Sequence, residues 1–339
     1  MFERVATLRA PPPVLDSLPP WARPVFPDGL ARQSAGVWAP LDFEFTLTEQ
    51  ARINQAAARR SGGTADTSLH FEHLLHSALD AGLTPPSEAV VLDLQSGDGM
   101  RSVVPWLRLL PQARILASDP ASVLLAGLYG HAAAIGEAER VLCLVAEPAA
   151  APVAPGSIDL VSGVGCLHEQ DDPDLVLAAA AVALRPGGHA IFLAPFDGYG
   201  VLRLAYERIC AESRLRQDEP LSDEIDAALR VLARDIAART LPDRSDAAFG
   251  QLEQKWLFAR ASLEMAARAL GFRDVRFLPH NDHETLYRDM ALVQLRTATA
   301  HPTVELPGWA LAILDGFDRA LRPPVKRLLM LDGTAILTR

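Results

Sequence analysis

Cysteine is scarce in this 339-residue sequence, which contains only three. Cys143, Cys166 and Cys210 lie far apart and lack the C-x-x-C spacing that zinc sites and redox-active dithiols use. A disulfide framework, typical of small secreted domains, is therefore not expected, and neither is a cysteine-ligated zinc ion.

Long apolar runs are also missing. The longest run, residues 175–184, is about half of the ~20 residues that a membrane-spanning helix needs. Residues 1–10 are charged and lack the apolar core of a secretory signal. We therefore expect no membrane partner and a cytoplasmic location.

Positive charge is in deficit, with 32 Lys and Arg against 42 Asp and Glu and a net charge of −10. Nucleic-acid binding needs clustered cations that neutralise phosphates, so a DNA or RNA partner is not expected. Only Lys255 and Lys326 are lysines; with the many Ala and Pro residues, this indicates a bacterial-type composition bias without functional meaning. The hydrophobic fraction of 49% is ordinary for a globular protein and allows a full core.

Short apolar runs alternate with helix-like segments in the central part of the chain, which is typical of a parallel α/β sheet. Turn residues separate the segments, and the short connections favour right-handed crossovers. The predicted strands are residues 89–92, 113–117, 141–145, 158–161 and 189–193, and the predicted helices are residues 100–110, 121–133 and 173–184.

The flanking segments differ from this alternating region. Seven prolines in residues 11–27 predict an arm that is either disordered or extended along the body. Helices are predicted at residues 46–60 and 67–81, and residues 197–258 have the pattern of two or three amphipathic helices. Beyond them we predict a helix at 262–270, strands at 275–278 and 290–295, one more helix and an apolar run at 334–337.

A glycine-rich turn follows the first strand of the alternating region. That strand ends in Asp93, and the chain then turns through Gly97 and Gly99 into a helix. Glycines here let the backbone approach a ligand and adopt torsions that other residues avoid. Asp119 ends the next strand, where a carboxylate can bind ribose hydroxyls. The pattern indicates an adenosine-containing cofactor.

The details of the turn favour one class of cofactor. A dinucleotide site uses G-x-G-x-x-G, but the third glycine position here is Ser102. Asp93 and Asp98 also place two negative charges beside the turn, which would repel a pyrophosphate but not a sulfonium or an ammonium group. A nucleotide-dependent oxidoreductase is therefore the less favoured alternative.

Residues 91–99, VLDLQSGDG, resemble motif I of class I S-adenosylmethionine-dependent methyltransferases, D-x-G-x-G-x-G. Residues 115–122 resemble the second motif of that family, and Glu147 stands where the family has an acid after its third strand. Residues 184–188, LRPGG, resemble the turn into its fifth strand. The resemblance covers about residues 88–197 and extends loosely to 297.

This resemblance implies S-adenosylmethionine as cofactor, with Asp119 binding the ribose and Glu147 accepting a hydrogen bond from the adenine amino group. It implies a Rossmann-like, doubly wound, mostly parallel sheet of seven strands with a helical lid and two terminal extensions. The expected cofactor-binding residues are Asp93, Gln95, Gly97, Gly99, Asp119, Pro120, Glu147, Pro148 and Gly163. The expected division is 1–60 (N-terminal extension with the proline-rich arm), 61–197 (core), 198–258 (helical lid), 259–300 (end of the core) and 301–339 (C-terminal extension).

Two residues depart from the family pattern. Gln95 replaces the first glycine of motif I and adds a side chain beneath the expected methionine moiety. Pro105 falls inside the following helix, which it should kink or shorten. A non-catalytic methyltransferase-like subunit that acts as a protein-interaction module is therefore the alternative function, since a fold alone does not guarantee activity.

The fourth strand leads into residues 163–169, GVGCLHE. Ligands bind outside the carboxyl ends of the strands in such sheets, so His168 should lie near the methyl acceptor. An ordinary histidine pKa suits a general base for a hydroxyl; the alternative is that His168 caps a helix or shapes the pocket. The same segment lacks the N/D-P-P-Y/F pattern of enzymes that methylate nucleic-acid bases. We expect O-methylation of a small or medium-sized metabolite.

The helical segment after the fifth strand is expected to cover the acceptor. Tyr199, Arg203 and Tyr206 are the expected contacts, unless they only pack the lid on the core. Residues 280–284, HNDHE, carry metal-capable side chains but crowd along one loop, so a polar turn is expected and no metal site. The expected partner is a small-molecule substrate, and a homodimer stays open.

Overall fold

The computed structural model describes residues 18–41, 53, 65–240, 242–245 and 249–339. Within them, nine strands form one sheet with helices on both faces. The helix predicted at residues 46–60 lies outside the described residues, apart from residue 53. The strands are β1 (Ala31–Ser34), β2 (Val37–Ala39), β3 (Val90–Leu94), β4 (Arg114–Ser118), β5 (Val141–Leu144), β6 (Ile158–Val164), β7 (Leu184–Pro195), β8 (Asp274–Pro279) and β9 (Asp332–Thr338).

The strands lie in the order β1-β2-β5-β4-β3-β6-β7-β9-β8. All neighbours from β2 to β7 pair in parallel, whereas β9 runs antiparallel to both β7 and β8, and β1 antiparallel to β2. The expected α/β fold with a mostly parallel sheet is confirmed. The expected number of seven strands is wrong, because β1 and β2 extend the sheet beside β5. These two strands have only four and three residues, which is too short for a clear alternation in the sequence.

The helices are α1 (Ala65–Asp80), α2 (Val103–Leu109), α3 (Ser122–Ala134), α4 (Cys166–Glu169), α5 (Pro173–Ala183), α6 (Tyr199–Ser213), α7 (Asp223–Thr240), α8 (Arg260–Ala269), α9 (Leu286–Thr299), α10 (Gly308–Ala320) and α11 (Pro323–Leu328). The start of α5 is encoded locally: Asp172 accepts a hydrogen bond from the Asp174 backbone at 3.1 Å, and Pro173 occupies the first turn.

The strand predicted at residues 290–295 is wrong, because this segment belongs to α9. Tyr287, Ala291 and Leu295 are buried at helical spacing, and a six-residue, mostly apolar segment does not by itself distinguish a helix from a strand. The last strand of the chain is β9, which contains the apolar run at 334–337 and pairs antiparallel with β7 and β8. Residues assigned to a C-terminal extension thus contribute a buried strand inside the sheet.

Two apolar layers cover the two faces of the sheet. In β3, Leu92 and Leu94 belong to one layer and Val91 to the other, as the alternation of side chains in a strand requires. The described part of the proline-rich arm packs on the body: Leu18 and Phe26 are buried, and the Val25 carbonyl accepts a hydrogen bond from the Ala154 backbone at 2.8 Å.

A third apolar cluster joins α6, α7, α9 and α10, which we call the helical cap. Leu202, Leu229, Tyr287 and Leu314 contribute one buried side chain from each of the four helices. The expected lid therefore accounts for only half of the cap, and the other half comes from residues 286–320. Among the described helices, none is long and apolar enough to cross a membrane.

Candidate cofactor and acceptor site

The turn after β3 has the backbone geometry that a close ligand requires. Gln95, Gly97 and Gly99 have positive φ angles of 56°, 58° and 77°. A Cβ added at Gly97 would meet nothing within 4 Å, so the backbone there is open to a ligand. A Cβ at Gly99 would lie 2.3 Å from Leu128 Cδ1, so this glycine is needed for packing against α3.

Asp119 ties the glycine turn to the end of β4. Its Oδ2 accepts a hydrogen bond from the Gly97 backbone at 3.0 Å, and its Oδ1 accepts one from the Ala121 backbone at 2.7 Å. Both carboxylate oxygens thus hold the backbone around the turn, at the end of β4 where the sequence pattern predicts a ribose ligand. The residue fits the ribose role that the sequence pattern suggests.

Asp93 braces the turn from inside the core. It is fully buried, and Ser102 Oγ donates a hydrogen bond to its Oδ2 at 2.6 Å. Its Oδ1 has no hydrogen-bond partner among the described residues. Burial raises the pKa of Asp93 to about 6, although the hydrogen bond from Ser102 opposes this. Ser102, which occupies the third glycine position, therefore holds this carboxyl group.

Pro105 causes less disruption than expected. It is the third residue of α2, which has seven residues and contains no other proline. The first four N–H groups of a helix have no partner within the helix, so a proline at this position removes no hydrogen bond. The helix is shorter than the predicted 100–110, but its seven residues continue beyond Pro105.

A cavity of about 390 Å³, the cofactor cavity, lies beside the glycine turn. Burial raises the pKa of Glu147, and the charge of Asp119 adds to this effect. The described lining residues are Gln95, Pro120, Glu147, Pro148, Glu169, Gln170, Asp171, Gly250, Leu252, Glu253 and Lys255. The structure thus brings four of the predicted cofactor residues to one cavity: Gln95, Pro120, Glu147 and Pro148.

Gln95 is held by two residues that sequence reasoning did not single out. Its Nε2 donates a hydrogen bond to the Glu169 carboxylate, and its Oε1 accepts one from Gln170 Nε2 at 2.9 Å. A non-glycine residue in the left-handed region costs roughly 1–2 kcal/mol. The two hydrogen bonds offset that cost and connect the glycine turn to the segment after α4.

A second cavity of about 430 Å³, the acceptor cavity, lies between the carboxyl ends of β6 and β7 and the helical cap. Glu169 lines both cavities, so they adjoin at this residue. The acceptor cavity is also lined by His70, Phe71, Leu74, Arg101, Val164, Gly165, His168, Leu193, Ala194, Pro195, Tyr199, Arg239, Gln254, His280, Asn281, Met290, Gln294 and Asp332.

Seven predicted site residues do not line either cavity: Asp93, Gly97, Gly99, Asp119, Gly163, Arg203 and Tyr206. The first four form or support the glycine turn beside the cofactor cavity. Gly163 is required for packing, because an added Cβ would lie 2.4 Å from Cys166 Sγ. Arg203 is partly exposed and lies 3.9 Å from Glu207. Tyr206 is buried in the cap, where its hydroxyl donates a hydrogen bond to Gln294 at 2.7 Å.

His168 lines the acceptor cavity as a neutral imidazole. It is 8% exposed, and its Nδ1 has no hydrogen-bond partner among the described residues. The pKa of His168 is lowered to about 3, chiefly by burial and also by the positive charges of Arg239 and Arg101. The ring is therefore unprotonated at neutral pH, and it is a weak base in the protein without ligands.

The other polar groups of the acceptor cavity come from elements far apart in the sequence. The Tyr199 hydroxyl donates a hydrogen bond to Asp332 Oδ2 at 3.0 Å, and burial raises the pKa of Asp332. His280 and Thr334 share a hydrogen bond of 2.7 Å. Tyr199 is one of the predicted acceptor contacts, and His280 belongs to the segment 280–284, which carries metal-capable side chains. No short motif contains Asp332, which is why the sequence did not reveal it.

The loop at residues 280–284 has separate partners for its metal-capable side chains. His280 contacts Thr334, Asp282 Oδ2 accepts a hydrogen bond from Arg327 at 2.7 Å, and His283 lies 3.1 Å from Asp289. Across the described part of the chain, no group of three His, Cys, Asp or Glu residues could hold a metal ion.

A comparison with protein-family models finds a match to the family described as "Methyltransferase domain" over residues 92–192, less than a third of the chain. These residues are a methyltransferase domain. The expected methyltransferase is confirmed at this level, over these residues. The domain contains Asp93, Asp119 and Glu147, and it ends within β7.

Among curated proteins, none has a significantly similar sequence. Solved structures with a similar fold include the cyclase SpnF, with 16% identity, TM-score 0.46 and coverage of 79% of this chain and 80% of that one. Geranyl diphosphate C-methyltransferase from Streptomyces coelicolor A3(2) has 11% identity, TM-score 0.44 and coverage of 78% and 76%. Haemonchus contortus phosphoethanolamine N-methyltransferase 2 has 13% identity, TM-score 0.42 and coverage of 81% and 56%. Similarity at this level says nothing about the reaction of this chain.

Proposed function

We propose that this chain transfers a methyl group from S-adenosylmethionine to a small or medium-sized metabolite in the acceptor cavity. The observation that carries the proposal is that the cofactor and acceptor cavities adjoin at Glu169, beside the glycine turn. Ligands of open α/β sheets bind at this carboxyl edge. A volume of about 430 Å³ is within the range of small-molecule sites.

The residues of the cofactor cavity fit the chemical groups of S-adenosylmethionine. Asp119, next to Pro120 of the cavity wall, is assigned to the ribose hydroxyls, and the Glu147 carboxyl group can accept a hydrogen bond from the adenine amino group. The backbone at Gly97 allows close approach, and Glu169 offers negative charge to the sulfonium or ammonium end. When bound, the cofactor supplies an electrophilic methyl group on sulfur. The protein then has to align the acceptor with it and exclude water.

Oxygen is the acceptor atom that the cavity favours in this proposal. The neutral imidazole of His168 lines this cavity, and one of its two ring nitrogens can accept a hydrogen bond from a hydroxyl group. Because the pKa of His168 is near 3, its main role in this proposal is to orient the acceptor hydroxyl. Removal of the hydroxyl proton by His168 is the secondary role. An acidic hydroxyl, such as that of a phenol or a carboxylic acid, would need little help from a base.

Calorimetric titration with S-adenosylhomocysteine and with NAD tests the proposed function. We expect the first ligand to bind and the second not to bind. Tight NAD binding would instead favour the oxidoreductase alternative. No binding of either ligand would favour a non-catalytic subunit, for which Gln95 in the cofactor cavity is the supporting observation. The cytoplasmic location, the exclusion of nucleic-acid partners, the homodimer and the division of the chain into domains stay predictions.

A further inference from the structure

Arg239 places a buried positive charge on the wall of the acceptor cavity. The residue lies near the end of α7 and is 6% exposed. Its Nη1 lies 3.2 Å from Oδ2 of Asp235, a side chain that is 43% exposed. Its Nε is buried and has no partner among the described residues. Asp332 is the other nearby carboxylate: burial raises its pKa and the charge of Arg239 acts to lower it, but the two side chains share no hydrogen bond in the described part of the chain. The guanidinium is therefore only partly compensated for its loss of hydration.

Arg101 adds a second cation to the same cavity. It is exposed, and its guanidinium carbon lies 5.9 Å from the ring centroid of Phe71, which also lines the cavity. Both arginines lower the pKa of His168, so their positive potential reaches the part of the cavity where the acceptor would lie.

The carboxylates of the acceptor cavity are already engaged by other groups. Asp332 accepts a hydrogen bond from Tyr199, and Glu169 accepts one from Gln95. Glu169 also faces the cofactor cavity, where a sulfonium would balance its charge. The two acids therefore leave Arg239 with donor capacity that no described residue fills.

We propose that the methyl acceptor carries an oxyanion, a carboxylate or a phosphate, that binds to Arg239 with Arg101 at the same cavity. The planar guanidinium suits such groups because it presents parallel N–H donors. The proposal rests on the proposed function, which it deepens. The cap would hold the anionic end of the acceptor, and the reactive oxygen would face His168 and the wall at Glu169.

Titration of the protein saturated with S-adenosylhomocysteine tests this anion site. The probes are benzoate, phenyl phosphate and the neutral analogue benzamide. We expect at least one of the two anions to bind ten times or more tighter than benzamide. A preference for benzoate identifies a carboxylate acceptor, and a preference for phenyl phosphate identifies a phosphate.

Arg239→Gln should weaken binding of the preferred anion at least tenfold while S-adenosylhomocysteine affinity stays within twofold. Arg230→Gln is the matched control, because Arg230 lies on the same helix and pairs with Asp226 four residues earlier at 2.6 Å, but is 40% exposed and lines no part of the acceptor cavity. Its anion binding should not change. Arg239→Lys, which keeps the charge, should retain part of the affinity.

The anion site would be overturned if benzamide bound as tightly as the two anions, or if none of the three probes bound. It would also be overturned if Arg239→Gln kept the full affinity for the anion. If that variant does not fold, Arg101→Gln at the exposed position takes its place, with an expected loss of at least threefold; an unchanged affinity overturns the proposal. If S-adenosylhomocysteine does not bind, the proposed function is contradicted. In that case, titration of the ligand-free protein with the same anions tests the anion site separately.

Discussion

The cofactor cavity and the acceptor cavity share a wall at Glu169 but draw their residues from different parts of the chain. On the cofactor side, Gln95, Pro120 and Glu147 each follow a parallel strand within one stretch of the sheet. On the acceptor side, His70, Arg239 and Asp332 come from α1, α7 and β9, elements that are far apart in the sequence.

This difference shows which parts of such an enzyme are encoded locally. The glycine turn and the acids need only strands β3 to β5 in register, since parallel strands bring their carboxyl ends to one edge. The acceptor cavity needs the cap to pack on the sheet, and the cap joins two segments separated by β8. Substitutions around the cofactor cavity should therefore change cofactor binding, whereas substitutions in the cap should change acceptor turnover.

The largest expected effect concerns the cap. Tyr206 is fully buried there, and Tyr206→Ala should lower the free energy of unfolding by about 3–5 kcal/mol, because it leaves a large cavity. Gln294 would also lose its hydrogen-bond partner. Urea denaturation would measure this loss, with Leu204→Ala, an exposed residue on the same helix, as the control. If the cofactor cavity does not depend on the cap, Tyr206→Ala should still bind S-adenosylhomocysteine while its acceptor turnover falls. An equal loss of binding and turnover would show that the two cavities are not independent.

The second prediction concerns the pH dependence of stability on the cofactor side. Burial raises the pKa of Asp93 from 3.8 to about 6, so the folded state favours the protonated carboxyl group. This contribution to stability is fully present below pH 3.8 and is lost as the pH rises through 6. The full change amounts to about 3 kcal/mol, at 1.36 kcal/mol per pKa unit.

Asp93→Asn removes this titration. The free energy of unfolding of the variant, relative to the unsubstituted protein, should therefore increase between pH 4 and pH 7, and urea denaturation across this range would measure it. A constant difference across the range would show that Asp93 does not titrate with a raised pKa.

The third prediction concerns the ribose position. Asp119→Ala should weaken S-adenosylhomocysteine binding by about 1.5–3 kcal/mol, the cost of losing a charged hydrogen-bond partner. Calorimetry would measure this loss, and Asp174→Ala, which removes an exposed carboxylate from α5, should leave the affinity unchanged. An unaltered affinity in a folded Asp119→Ala protein would remove the ribose assignment.

The smallest expected effect concerns Gln95, which lines the cofactor cavity and is hydrogen-bonded to Glu169, the residue that the two cavities share. Gln95→Gly relieves a left-handed backbone but removes hydrogen bonds with Glu169 and Gln170, so stability should change by less than about 1 kcal/mol. We expect S-adenosylhomocysteine to bind about 1 kcal/mol more weakly, since the amide lines the cofactor cavity. Tighter binding would show that Gln95 only crowds the turn. Gln170→Ala is the matched variant, because it removes one of these hydrogen bonds without altering the backbone at position 95.

Local sequence patterns are enough to predict the parallel sheet from β3 to β7, the glycine turn and the acids after the strands. These features depend on apolar runs, turn residues and carboxylates within about one hundred consecutive residues, and each recurs at a spacing that can be read locally. The starts of helices such as α5 are equally local, because Asp172 and Pro173 act on the first turn alone.

The other features depend on packing between distant segments of the chain. Residues 290–295 are apolar enough for a strand, but packing in the cap makes them helical, and β9 enters the sheet from the end of the chain. Arg239 resembles any helical arginine with an acid four residues earlier, as Arg230 does. What separates them is the burial of Arg239 at the acceptor cavity, which depends on long-range packing that the local pattern of α7 does not encode.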